Sequence, residues 1–208
     1  MTNGALFSEA YFRRLVSDRD ELLLELEREA DREEIPIIGP VVGSMLQLLA
    51  LSCGAAAILE LGTATGYSGL YLARACAELE GLLVTLEYDP EMAKRARSTF
   101  ARAGVAEHVR VVEGEAVQAM QELEDESFDL AFLDIDKEYY RPALKECGRL
   151  LRHRGILVAD NTSFPEAGDF NSRLYSDPGW RSVQLLTFLP GHSPEKDGLC
   201  LAVKTRRA

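Results

Sequence analysis

Residues Ile58–Ala73 read ILELGTATGYSGLYLA. The segment opens as an apolar, β-type run, and its second half has aliphatic and aromatic residues at helical spacing. Gly62, Gly66 and Gly69 bracket the turn between the two halves. Glycine at such a turn permits tight backbone geometry and lets a ligand come close to the N-terminus of the following helix. A strand, a glycine turn and a helix in that order predict an α/β fold with a binding site at the strand's carboxyl end.

Working outward, six more apolar segments follow: 82–88, 109–114, 128–134, 155–160, 182–188 and 199–204, the first strand being 56–62. Helical patterns separate the first five, such as SGLYLARACAEL and PEMAKRARSTFARAG, the latter bounded by Pro90 and Gly104. This alternation predicts right-handed crossovers and a parallel sheet with helices on both faces. Pro190, Gly191, Pro194 and Gly198 mark a loop without a helix, so the last two strands are predicted to form an antiparallel hairpin. Two helical segments, about 8–33 and 40–52, precede the first strand. The link between them, IPIIGP, is predicted to be extended and stiff because of Pro36 and Pro40.

The chain has 208 residues, 47% of them apolar, which suits one domain: N-terminal helices over 1–53 and a core over 54–208. No apolar run reaches the roughly 18 residues needed to span a bilayer. The start, MTNGALFSEAYFRRL, lacks the basic and apolar regions of a signal peptide, so a cytoplasmic location is expected. The net charge of −11 argues against long nucleic acids as ligands. Much of the acid lies in DRDELLLELEREADREE, read as a solvated amphipathic helix. Cys53, Cys76, Cys147 and Cys200 have no C-x-x-C spacing and are read as core fillers.

The second strand ends at Glu87, placed to accept hydrogen bonds from both hydroxyls of a ribose. A nucleoside-bearing cofactor is therefore expected. Ala64 stands where a dinucleotide fingerprint needs its second glycine, which obstructs the approach of a pyrophosphate and disfavours an NAD-dependent oxidoreductase. Glu60, two residues before Gly62, suits a ligand with an amine and a sulfonium, so S-adenosylmethionine fits better. Gly114, Glu115 and Ala116, after the third strand, are placed to meet the adenine.

FDLAFLDIDKEYY (Phe128–Tyr140) and GILVADN (Gly155–Asn161) end two neighbouring strands in polar residues. Asp134, Asp160 and Asn161 then converge as hard oxygen donors, a set that suits Mg²⁺ (or Mn²⁺) and leaves positions for substrate oxygens and water. Neither segment holds Cys or His, so zinc and copper fit poorly. Lys137, three residues after Asp134, can face the site as a general base, with Asp136 orienting it or capping a turn before a helix starting near Pro142. His192, in GHSPEKDG, is read as a solvated loop histidine rather than a group lining the same mouth.

These motifs in this order resemble the metal-dependent S-adenosylmethionine O-methyltransferases that include the catechol and caffeoyl-CoA O-methyltransferases. The resemblance runs from about IPIIGPVVGSML to LCLAVK. It implies a Rossmann-like class I methyltransferase fold, an α/β architecture whose seven-stranded, mostly parallel sheet has an antiparallel last strand. By position it implies metal ligation by Asp134, Asp160 and Asn161, catalysis by Lys137, and cofactor contacts from Glu60, Gly62, Ser68, Glu87 and Ala116. Gly66, Gly114 and Asp134 complete the expected cofactor set. After Asn161 the chain reads TSFPEAGDFNSRLY in place of a tryptophan-bearing loop, which departs from the caffeoyl-CoA members. The expected activity is methylation of one hydroxyl of a small catechol-like aromatic by a homodimer. The rival readings are a tRNA hydroxyuridine O-methyltransferase and a non-catalytic nucleotide-binding module.

Overall fold

The computed structural model describes residues 8–205. Residues 1–7, which carry part of the N-terminal segment read above, lie outside that range. In chain order the elements are α1 (Glu9–Arg13), α2 (Glu21–Glu33), α3 (Gly39–Cys53), β1 (Ala57–Leu61), α4 (Tyr67–Glu78), β2 (Leu82–Glu87), α5 (Pro90–Arg102), β3 (Val109–Glu113), α6 (Ala116–Gln121), β4 (Phe128–Leu133), α7 (Tyr140–Leu150), β5 (Leu151–Ala159), α8 (Gly168–Ser176), β6 (Trp180–Phe188) and β7 (Lys196–Lys204).

The seven strands form one sheet in the order β3-β2-β1-β4-β5-β7-β6. β1 to β5 run parallel, while β7 is antiparallel to both β5 and β6, as the glycine- and proline-rich loop predicted. Alternate residues of each central strand point to opposite faces, so both faces need apolar cover. Ile58, Leu83, Leu130, Phe132 and Val158 pack with residues of α2 to α5 on one side. Leu59, Leu61, Val84, Leu133 and Leu157 pack with α6, α7 and α8 on the other. The chain order reverses between β1 and β4, which opens a crevice at the carboxyl ends of the strands.

Three local differences from the sequence reading have physical causes. The helix read over 8–33 is broken: Asp20 adopts extended backbone and its carboxylate accepts the Leu23 N–H at 3.0 Å, which starts α2 afresh. The acid of α2 is not merely solvated, because Glu25 pairs with Arg102 of α5, and Glu29 and Glu33 both pair with Arg95. TSFPEAGDFNSRLY runs into α8, whose Phe170 and Leu174 are buried with the sheet residues of that face. Of the four cysteines, Cys76, Cys147 and Cys200 fill the core as expected, and Cys53 is exposed.

Candidate active site

Ladder hydrogen bonds continue one residue past the central strands. Gly62 N–H reaches Leu86 O at 3.0 Å, Asp134 N–H reaches Leu61 O at 3.0 Å, Asp160 N–H reaches Leu133 O at 3.0 Å, and Gly114 N–H reaches Glu87 O at 2.9 Å. Residues far apart in sequence thereby stand side by side along the carboxyl edge of the sheet. A cavity of about 850 Å³ lies over that edge. Its lining joins the Gly62–Thr65 turn, Ser68, Glu87, Glu115 and Ala116 to Asp134, Lys137, Asp160 and Asn161.

The turn after β1 owes its path to one glycine above all. Gly62 has φ +93°, and a Cβ there would lie 2.0 Å from the Asp134 carbonyl oxygen. Only a residue without Cβ lets the β1 turn pass so close to the end of β4. Ala64 follows at φ 45°. Its N–H donates to Glu87 Oε2 at 2.7 Å, and the Thr63 N–H does so at 3.1 Å. Glu87 Oε1 accepts the Asp89 N–H at 3.0 Å. Glu87 is thus a clamp on the turn as well as a wall of the cavity.

Glu60, Gly66 and Gly114, expected among the cofactor contacts, do not line the cavity. Gly66 is the left-handed residue that starts α4, at φ 87°. Glu60 is fully buried behind the turn. Its Oε2 accepts from the Thr85 hydroxyl at 2.6 Å, and its Oε1 is the buried side-chain polar atom left without a partner among the described residues. Burial pushes this carboxyl up to about 7, with Ser68 and Thr85 hydrogen bonds opposing the rise.

At the other end of the cavity, Asp134, Asp160 and Asn161 all line the wall. Burial, then the charge of Asp160, raises the Asp134 carboxyl to about 6, with Lys137 opposing. Lys137 Nζ lies 3.3 Å from Asp134 Oδ1 and 3.1 Å from Ile135 O, with the Tyr140 ring centroid 5.3 Å away. Asn161 donates its amide N–H to Asp197 Oδ2 at 2.6 Å, which leaves its side-chain oxygen as the atom free to act as a ligand. Among the described residues no three His, Cys, Asp or Glu side chains gather as a metal-holding group. Two carboxylates at the ends of neighbouring strands, with an amide oxygen in the same cavity wall, fit a hard divalent cation.

Asp136 is exposed and makes no side-chain cap; its carbonyl accepts the Tyr139 N–H at 3.0 Å. As expected, α7 begins near Pro142, at Tyr140, and a 3₁₀ turn at Lys137–Tyr139 leads into it. The reading of His192 as solvated is corrected. Its side chain is fully buried, with Nε2 2.9 and 2.8 Å from the two Asp160 oxygens and Nδ1 2.6 Å from Pro194 O. Both ring nitrogens face oxygen acceptors. Burial pulls the His192 pKa down, but the hydrogen bond and charge of Asp160 outweigh it and raise it. Asp197 was also missed, as was Tyr140, whose hydroxyl donates to Asp160 O at 2.9 Å.

A family model described as O-methyltransferase matches residues 14–168, most of the chain. The chain belongs to the O-methyltransferase family. It is 38% identical over 166 residues to a catechol O-methyltransferase of Niastella koreensis, covering 76% of this chain and 75% of that one. To a catechol O-methyltransferase of Mycobacterium tuberculosis it is 40% identical over 149 residues, 71% of this chain and 67% of that one. The fold superposes on an O-methyltransferase from Bacillus cereus solved in complex with SAH, with a TM-score of 0.84, 28% identity and coverage of 95% and 96%. Streptomyces achromogenes TomG, solved in complex with SAM, gives a TM-score of 0.85 at 28% identity and the same coverage. This O-methyltransferase is S-adenosylmethionine-dependent, and its sheet is that of the class I methyltransferases.

Proposed function

We propose that this O-methyltransferase methylates one of two adjacent hydroxyls of a small, catechol-like aromatic, with Mg²⁺ or Mn²⁺ held by Asp134, Asp160 and Asn161. One observation carries the reading: three oxygen donors and the Lys137 amine share a single cavity with the glycine turn and Glu87. The names of the Niastella and Mycobacterium relatives support the catechol class.

The cation, when bound, supplies Lewis acidity that makes a hydroxyl easier to deprotonate. S-Adenosylmethionine supplies the methyl group. Lys137 is the catalytic base, because its amine lies beside the ligand set and is held by Asp134 and the Ile135 carbonyl. Glu87 and the Thr63 and Ala64 backbone fix the cofactor end through one carboxylate. Ile35, Ile37, Tyr139, Phe164 and Pro194 give the cavity an apolar wall against which an aromatic ring packs. Holding two reactants in line while excluding water supplies much of the rate.

Charge narrows the substrate. Lys137 is the one cationic side chain among the described lining residues, whereas Glu115, Asp136 and Glu166 add exposed carboxylates. Such a rim repels a polyanionic CoA thioester or a tRNA and favours a neutral or cationic small molecule. A single catalytic domain, a homodimer and a cytoplasmic setting belong to the same proposal. The test is methyl transfer to simple catechols with EDTA and after Mg²⁺ is restored. Loss and recovery of turnover is the expected result, and full activity in EDTA with no metal by elemental analysis refutes it.

A further inference from the structure

The loop between β6 and β7 lines the cavity with Ser193 and Pro194 and meets the Asp160 carboxylate through His192. His192 Nε2 lies within hydrogen-bond distance of both Asp160 oxygens, at 2.9 and 2.8 Å, and its Nδ1 donates to the Pro194 carbonyl at 2.6 Å. No other donor from the described residues reaches the Asp160 carboxylate, although Asp160 is 1% exposed. Each of the three oxygen ligands therefore has one side-chain partner: Lys137 for Asp134, Asp197 for Asn161 and His192 for Asp160.

The loop is itself anchored. His192 N–H donates to Leu189 O at 3.0 Å, and Ser193 N–H donates to Ile37 O at 3.1 Å, in the link that walls the cavity. Gly39 and Gly191 touch so closely that a Cβ on Gly39 would lie 2.5 Å from the Gly191 carbonyl. Glu195 is gripped by Arg13 of α1. The imidazole is thus fixed from the N-terminal link and from the hairpin at once.

We propose that His192 is a positioning residue that holds the Asp160 carboxylate in its ligating orientation, so that the β6–β7 loop sets the affinity of the site for a divalent cation. This rests on the reading of Asp160 as a metal ligand. A buried carboxylate with one donor is oriented by that donor, and partners of metal ligands commonly control affinity by about 10- to 100-fold. A contrary effect is also physical: the ring occupies both Asp160 oxygens, so removing it would free them for the metal and tighten binding. The measured sign separates the two.

The experiment compares the wild type with His192→Leu, which loses both donors at similar volume, and His192→Gln, which keeps an N–H. Mn²⁺ binding is read from the electron paramagnetic resonance of free Mn²⁺, and S-adenosylhomocysteine binding from calorimetry. His192→Leu is expected to weaken Mn²⁺ binding by about tenfold or more, with S-adenosylhomocysteine affinity kept within about twofold, and His192→Gln to recover most of the loss. A purely structural role would not give that split. Should the leucine variant fail to fold, ¹⁵N spectra of the wild type decide: Mg²⁺ titration is expected to shift the ring nitrogens of His192 and to leave those of His108 and His153 in place. Unchanged or tighter Mn²⁺ binding in the leucine variant, or an unshifted His192, overturns the proposal. Absence of any Mn²⁺ binding to the wild type overturns the metal reading itself, a separate result from the other two.

Discussion

Glu60 gives the sharpest test of the electrostatics beneath the glycine turn, through the substitution Glu60→Gln. Its carboxyl is fully buried, and burial raises it from an ordinary value near 4.5 to about 7. The folded state therefore binds a proton more tightly than the unfolded chain, so stability falls as pH rises. The cost is absent below pH 4.5, grows through the interval up to about pH 7, and is complete above it. Each pKa unit corresponds to about 1.4 kcal/mol, so the full cost is about 3 kcal/mol, most of it developing between pH 5 and 8. Glutamine keeps the shape and the acceptor for Thr85 but cannot ionise. Urea unfolding of the ligand-free protein at pH 5, 6, 7 and 8 reads the difference. The variant is expected to match or trail the wild type at pH 5 and to gain on it by about 2–3 kcal/mol by pH 8. Asp134 is also raised, to about 6, and adds a fall in the same direction to both proteins; its charge also pushes Glu60 up, so the difference between them reads Glu60 together with that coupling. Parallel pH profiles for the two proteins would refute the assignment of a destabilising buried charge at this position.

Three further outcomes follow from the same geometry. Lys137→Ala is expected to lower kcat by about 10²–10⁴ while leaving S-adenosylhomocysteine affinity nearly unchanged; wild-type kcat on a simple catechol across the pH range would remove the lysine from the chemistry. Glu87→Ala deletes the acceptor for the Thr63, Ala64 and Asp89 N–H groups, so calorimetry is expected to show S-adenosylhomocysteine binding weaker by about 1.5–3 kcal/mol. Gly62→Ala, with φ +93° and a Cβ 2.0 Å from the Asp134 carbonyl, is expected to destabilise the fold by at least about 2 kcal/mol, read as a lower unfolding midpoint in urea.

Local chemistry made much of this protein legible from its residues alone. Gly62 and Gly66 mark the β1 turn, Pro90 starts α5, and apolar runs mark each central strand, because glycine conformations, helix-start signals and strand periods act over a few residues. A strand that ends in Asp134 or Asp160 also declares its polar end locally. The break at Asp20 was equally local, since the cap is written in the residues SDRD, yet the helical spacing on both sides masked it.

The partners of those polar ends were not legible, for a physical reason. His192 meets Asp160 across 32 residues and Asp197 meets Asn161 across 36, and neither contact leaves any periodic or spacing signal in the chain. A histidine in a loop of glycine and proline looks solvated until the hairpin folds back over the sheet and seals it. Likewise, Arg95 and Arg102 look like surface charges until α5 lies beside α2. Sequence determined which groups stand at the carboxyl edge, because strand ends are set by neighbours in the chain. Only the tertiary structure decided which of them are buried, which are held and by what, because burial and pairing belong to the packing of elements distant in sequence.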